Sequence, residues 1–423
     1  MPAASEPYTC WRKPAGFLCK RNHPAGFSTA ATPESPKSAR KPTRSLLFLL
    51  LLECVIQCSF YMLTPVVGIY ATDLGATLST AGIICGINPF IAMAARPISG
   101  YLATIVKEKP LLLITLLVFS ICSFSSAETA NVPLYASLRA VQGACFSIQS
   151  TLILLLVSSC SPPNRIGQSV GWLGASIGVA SAIGPALGLF IAEQQGCESS
   201  LVASGSLSLL AMLLVPLLPK SNQRAKEACS SARRKRGSVV DSLFCPAAIP
   251  FSLVSAAFSM CTSCISGFLA LAAADRNISF AVVYFMIYSA LLLLVRPFGG
   301  RISDSQPLSR IVAVSAVACA AAMILLASAR SFAPIAIAGV LMAFGYGMAS
   351  PSLQAACLKS DPEGNLGTAS STSFIGTDLG NALGPIIAGL AVQGLGYDVA
   401  FSLEALFPIA AGIVCSRTSR HEH

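Results

Sequence analysis

Glu53, Arg139 and Asp378 lie in stretches otherwise too apolar to solvate a charge. An ionisable side chain at the centre of a bilayer costs about 2.5–3.5 kcal/mol on insertion scales, so such groups face a cavity or a partner. Asp378 stands 12 residues into the apolar segment 366–393, roughly 18 Å along a helix. Ser371, Phe374 and Asn381 share its stripe at three- and four-residue spacing. Desolvation there favours the neutral acid, so the group can exchange a proton; the competing reading is a polar lock to a neighbouring helix. Glu53 lies nine residues past Arg44 and forms a second stripe with Gln57, Tyr61 and Thr64. On the residues alone it reads as a group near the inner interface that pairs with Arg44 or another basic residue. Arg139 is followed on its face by Gln142, Phe146 and Gln149. It can pair with Glu53, with Asp378 or with an anionic substrate. Asn88, next to Pro89, reads as the cap of a broken helix or as cavity lining. Tyr284 with Tyr288, and Met342 with Tyr346, read as cavity lining or as packing.

The elements that hold these groups follow from composition. The 423-residue chain is 54% hydrophobic and 11% charged, against about 25% charged in soluble domains. Lipid is therefore the expected solvent. Twelve stretches satisfy the roughly 20 apolar residues that a span needs: about 46–71, 80–104, 110–127, 133–158, 166–192 and 201–219, then 246–273, 279–300, 308–328, 332–357, 366–393 and 397–415. The fold class is an all-α membrane protein of twelve helices in two six-helix bundles, 46–219 and 246–415. A basic central loop (220–245) joins them, and tails of 1–45 and 416–423 flank them. The first tail is expected to be disordered and no cleavable leader is expected, because no apolar core precedes Leu46.

The two halves repeat. Arg96-Pro97-Ile98-Ser99-Gly100 returns 200 residues later as Arg296-Pro297-Phe298-Gly299-Gly300, and Gly184-Pro185 returns as Gly384-Pro385. A duplicated membrane bundle places a substrate path between similar halves. Orientation follows from basic residues. With both termini inside, 23 Lys and Arg face the cytoplasm, and only Arg276 and Arg330 face outward. That bias accounts for the net charge of +10 without nucleic acid. The Arg233–Arg236 cluster then reads as a topology determinant at the anionic inner leaflet.

This layout resembles the major facilitator superfamily. Arg96 to Gly100 and Arg296 to Gly300 with Asp304 are similar to the family's motif after spans 2 and 8. The first copy has Thr104 where the family has Asp. Arg139-Ala140-Val141-Gln142-Gly143 resembles the family's Arg-x-x-Gln-Gly motif in span 4. Gly174, Gly178, Gly184, Pro185 and Gly188 resemble the Gly/Pro motif of its exporters. The resemblance implies alternating access, a proton-coupling role for Glu53, a cavity or proton-path role for Arg139, and a peripheral place for Glu404 in span 12. Independently, glycines four apart allow close helix approach, and Pro185 and Pro385 permit bends.

The function expected is a proton-linked exporter of small organic molecules in the cell (inner or plasma) membrane, acting as a monomer in the lipid bilayer. Its partners are a small-molecule substrate and protons, with no nucleic acid. The alternatives are a nutrient importer and, from another class, a non-transporting sensor or scaffold. No cofactor, metal or enzymatic activity is expected. The histidines (His23, His421, His423) lie in the tails, the cysteines read as small apolar packing groups, and there is no phosphate-binding Gly-x4-Gly-Lys-Ser/Thr loop.

Overall fold

Helix boundaries repeat at the same interval as the motifs. The computed structural model describes residues 44–160, 166–218, 245–278, 281–360 and 366–420. The first half contains α1 (Arg44–Leu63), α2 (Val66–Asp73), α3 (Leu78–Ile105), α4 (Glu108–Glu128), α5 (Val132–Ser159), α6 (Ile166–Gln195) and α7 (Cys197–Leu214). The second contains α8 (Ile249–Asp275), α9 (Val282–Ser305), α10 (Leu308–Ser328), α11 (Phe332–Lys359), α12 (Leu366–Leu395), α13 (Tyr397–Glu404) and α14 (Leu406–Arg420). The pairs α4/α10, α5/α11 and α6/α12 begin and end 200 residues apart at both ends. Gly196 and Gly396 carry the same left-handed φ, 91° and 85°, in the turns after α6 and α12, a conformation that only glycine adopts freely.

Among the described residues, eleven helices are long and apolar enough to cross a membrane, and α9 holds a shorter apolar stretch, Val282–Val295. With it the chain makes twelve passes and is a multi-pass membrane protein. Large apolar side chains line the outside, among them Leu51, Leu213 and Val317, as a lipid-facing surface requires. The first pass breaks between α1 and α2, where Pro65 supplies no N–H; Thr64 instead bonds the Tyr61 carbonyl through its hydroxyl at 2.8 Å. The last pass breaks at Ala405. Pro408 leaves the Glu404 carbonyl without its helical donor, and the Cys261 thiol of α8 takes it at 3.4 Å.

The end of the molecule that carries Arg44 and the last turn of α14 is the terminal end, and the opposite one is the distal end. At the distal end Arg276 donates to the carbonyls of Leu326, Ala327 and Ala329, which close α10, and to Asp398 at the start of α13. Arg330 binds the same carboxylate. The guanidinium thus adds donors at a helix end, where the Leu326 carbonyl otherwise accepts only a long 3.4 Å bond from the Ala329 N–H and the Ala329 carbonyl also accepts from Arg330. Replacing Arg276 by Met should lower unfolding stability by about 2–3 kcal/mol. Asp398→Ala, at a more exposed site, should cost about 1 kcal/mol. Thermal unfolding in detergent separates the two, and equal losses would contradict the carbonyl-capping role.

Candidate functional site

Asp378 is buried in α12, and its partner is Arg96 of α3, not Arg139. Arg96 Nη2 and Nε lie 2.6 and 2.7 Å from Asp378 Oδ2, and its guanidinium sits 5.3 Å from the Phe374 ring centre. The stripe expected on α12 therefore meets the first copy of the repeated motif. This ion pair joins the two halves. With 14% and 9% of the side chains exposed, screening by water is weak. Asp378→Asn should weaken the contact by about 1–3 kcal/mol, and exchange of the two residues (Arg96→Asp with Asp378→Arg) should recover part of the loss in a thermal unfolding assay. No recovery would mean that the pair does not act as a unit.

Toward the distal end the same helices are knit by glycine. A Cβ placed on Gly82 would stand 2.3 Å from the Pro385 carbonyl oxygen, one on Gly86 2.4 Å from that of Ala382, and one on Gly389 2.7 Å from that of Leu78. Ser79 adds bonds to Gln393 and to the Gly389 carbonyl at 3.2 and 3.4 Å. On the neighbouring seam, a Cβ on Gly68 of α2 would meet the Gly267 carbonyl of α8 at 2.4 Å. The distal halves of the two bundles are in backbone contact.

Glu53 is 1% exposed. Gln57 donates to its Oε1 at 2.7 Å, while Oε2 and the Gln57 amide oxygen have no partner. No described cation pairs with Glu53. Arg139 is equally enclosed: it donates to Gln142 at 2.8 Å, and Gln142 passes a bond to Ser123 of α4 at 2.9 Å, while its Nε is unpartnered. The expected pairing of Arg139 with Glu53 or Asp378 is not formed. Arg139 lies seven residues from the distal start of α5 and Glu53 nine from the terminal start of α1, so they occupy different depths at about 1.5 Å per residue.

Asn88 does not cap a broken helix. α3 runs unbroken through Pro89, and Asn88 donates to the Arg139 carbonyl at 3.3 Å. Gly143 makes that crossing possible, because a Cβ there would lie 2.4 Å from the Asn88 carbonyl oxygen. The Arg-x-x-Gln-Gly motif is thus a helix crossing and a polar relay in one. Phe146 stacks on Phe60 at 4.1 Å, and Gln149 is buried with its amide nitrogen unpartnered. Tyr284 is 2% exposed in the second-half core and stacks on Tyr288 at 5.9 Å; Tyr346 packs against the same core. These three are packing residues in this state. Asn381 is half-buried.

Gly184 and Gly188 seat α6 on Tyr61 and Met62 of α1, and Gly380 and Gly384 seat α12 on Ala256 and Met260 of α8. The two contacts are repeat equivalents. Gly174 meets nothing within 4 Å. α6 and α12 continue through Pro185 and Pro385. The side chains of Arg296, Asp304 and their neighbours, the local surroundings of Gly100 and Gly300, and the Arg233–Arg236 cluster lie outside the described residues.

Residues 49–385 match the family model of the Major Facilitator Superfamily. The chain belongs to that superfamily. An uncharacterized MFS-type transporter of Methanocaldococcus jannaschii is 22% identical over 363 residues, 83% of this chain and 92% of that protein. Quinolone resistance protein NorA of Staphylococcus aureus is 23% identical over 336 residues, 78% of this chain and 84% of NorA. A crystal structure of a POT family transporter in complex with a thioalcohol-conjugated peptide superposes with a TM-score of 0.72 at 14% identity, covering 89% of this chain and 96% of that one. The protein is accordingly a membrane transporter and not an enzyme. Within this superfamily member, Arg96 as the partner of Asp378 escaped the sequence reading. So did Gly82 and Gly86, although their four-residue spacing is the small-residue signal for close helices. Glu404, in the last pass, is 0% exposed, with both carboxyl oxygens unpartnered.

Proposed function

We propose that this superfamily member is a proton-linked exporter of small organic molecules, with Glu53 as the carboxylate that carries the coupling proton. The burial of Glu53 beside Gln57, with one oxygen unpartnered and no cation among the described residues paired with it, carries the reading. An ionised carboxylate so placed costs several kcal/mol, so this closed packing is compatible with the neutral acid. Loss of the proton then disfavours the packing and favours a state in which water reaches the group. That difference is what couples protonation to alternation between the two states.

The Arg96–Asp378 pair is a latch between the halves, opened and reformed in each cycle. Arg139, enclosed by Gln142 and Asn88, holds the α3–α5 crossing and is a second point at which charge is carried inside the first half. Export is favoured over import by the Gly/Pro run of α6 and by the likeness to NorA, a quinolone resistance protein. Hydrophobic antibiotics and dyes are the first substrates to try. The protein acts as a monomer in the cell membrane with both termini cytoplasmic, as the 23-to-2 division of basic residues supports.

Cells expressing the wild type should retain less of a quinolone or of ethidium than cells expressing Glu53→Gln at equal protein level, and a protonophore should remove the difference. Greater uptake by wild type would turn the direction to import. Equal retention throughout the panel would count against export of this class.

A further inference from the structure

The two seams between the halves are unequal, and the repeat shows why. Where α3 carries Gly82 and Gly86, the equivalent positions of α9 are Val282 and Met286. Where α12 carries Gly389, α6 carries Leu189. The α3–α12 seam closes backbone to backbone. Bulkier side chains hold α6 and α9 further apart, and near the distal end a cavity of about 330 Å³ remains. Both halves line it: Ile69 of α2, Leu189 and Glu193 of α6, Ala270 and Ala274 of α8, and Ala281 just before α9. The volume is at the low end of the range of about 300–1,000 Å³ that holds small organic ligands.

Among the described lining residues, Glu193 is the one that carries a charge and the rest are apolar or a thiol. Glu193 is exposed, and its carboxylate approaches the backbone N–H of Val282 across the gap. A lining thiol, Cys197, lies close to Asp73. Glu198 lies in the first turn of α7 and Asp275 ends α8, at the same end. The two arginines of that end, Arg276 and Arg330, are both bound to Asp398. An apolar chamber with a carboxylate rim and its neighbouring cations already engaged selects an apolar body bearing positive charge.

We propose that this distal cavity is a binding site for hydrophobic organic cations on the path by which they leave the protein. The proposal rests on the export reading for its direction, but not for its ligand chemistry. A bound cation contacts both halves and so stabilises the distally closed state.

The test is photolabelling of the full-length protein in lipid nanodiscs with a benzyltrimethylammonium probe carrying a diazirine, with labelled peptides mapped by mass spectrometry. Label should fall on α6 and α8 around residues 189–197 and 270–274. It should drop about fivefold in Glu193→Gln, which keeps an acceptor for the Val282 N–H, and vanish in Ala270→Trp, which fills the chamber. The neutral tert-butyl isostere should label poorly. Label elsewhere, or label equal in both variants and for the neutral probe, overturns the site. Efflux of ethidium by the same proteins is measured in parallel. Normal labelling without efflux would defeat the export reading and leave the site standing; efflux with no label at the cavity would do the reverse.

Discussion

Glu53→Gln abolishes pH-driven flux while leaving exchange of substrate across the membrane. Glutamine has nearly the shape of the acid and keeps an oxygen for the 2.7 Å bond from Gln57, so the α1 packing survives. It cannot lose a proton, and the protein loses the step that distinguishes its two states by charge. Net flux under an imposed pH gradient should fall to the level of empty membranes, a loss of about a hundredfold. Counterflow of labelled against unlabelled substrate at equal pH should stay within about twofold of wild type. Glu53→Asp should recover part of the gradient-driven flux. Loss of both activities together would mean that Glu53 serves packing or substrate binding. Unchanged gradient-driven flux would remove it from coupling altogether.

Gly86→Val stops transport by another route. Its side chain would enter space held by the Ala382 carbonyl oxygen, 2.4 Å from the Cβ, and by Ile386 at 2.8 Å. Backbone cannot yield as a flexible side chain can, so α3 and α12 must separate and the distal end stays open. Substrate flux should fall about tenfold or more in every mode, counterflow included. Cys85, wedged between Gly68 and Gly267 at the same level, should become reactive to a membrane-impermeant maleimide added on the distal side. Gly394→Val, at a position open within 4 Å, is the control and should change flux by less than about twofold. Wild-type flux in Gly86→Val would show that the seam is not a gate.

The spans, the repeat and the buried ionisable groups were legible because lipid imposes strong rules on single segments. A 20-residue apolar stretch must be helical, and a lone carboxylate within one must be accommodated. Hence α10 begins and ends where hydropathy puts it, at 308 and 328, and Glu53 and Asp378 stood out. Pairings between segments were not legible. Arg96 and Asp378 are 282 residues apart, and one helix stripe does not reveal which other helix it faces. The burial of Glu404 was not legible for the same reason: it comes from α8 and α10 lying against the α13–α14 break. Asn88 misled because Pro89 suggests an interruption, yet α3 absorbs the missing donor and continues. The unequal seams needed both levels, the repeat to pair Gly82 with Val282 and the structure to show the void that results.

Proton coupling with outward substrate movement is the central claim. Its most direct measurement uses proteoliposomes of uniform orientation holding a pH-sensitive dye, with no imposed gradient, to which a quinolone or ethidium is added on the cytoplasmic face of the protein. Substrate moving down its own gradient should drive protons the opposite way, giving a pH change that needs substrate, scales with the amount of protein and is absent in Glu53→Gln. Substrate movement with no pH change, or protons moving in the same direction as substrate, would contradict the account.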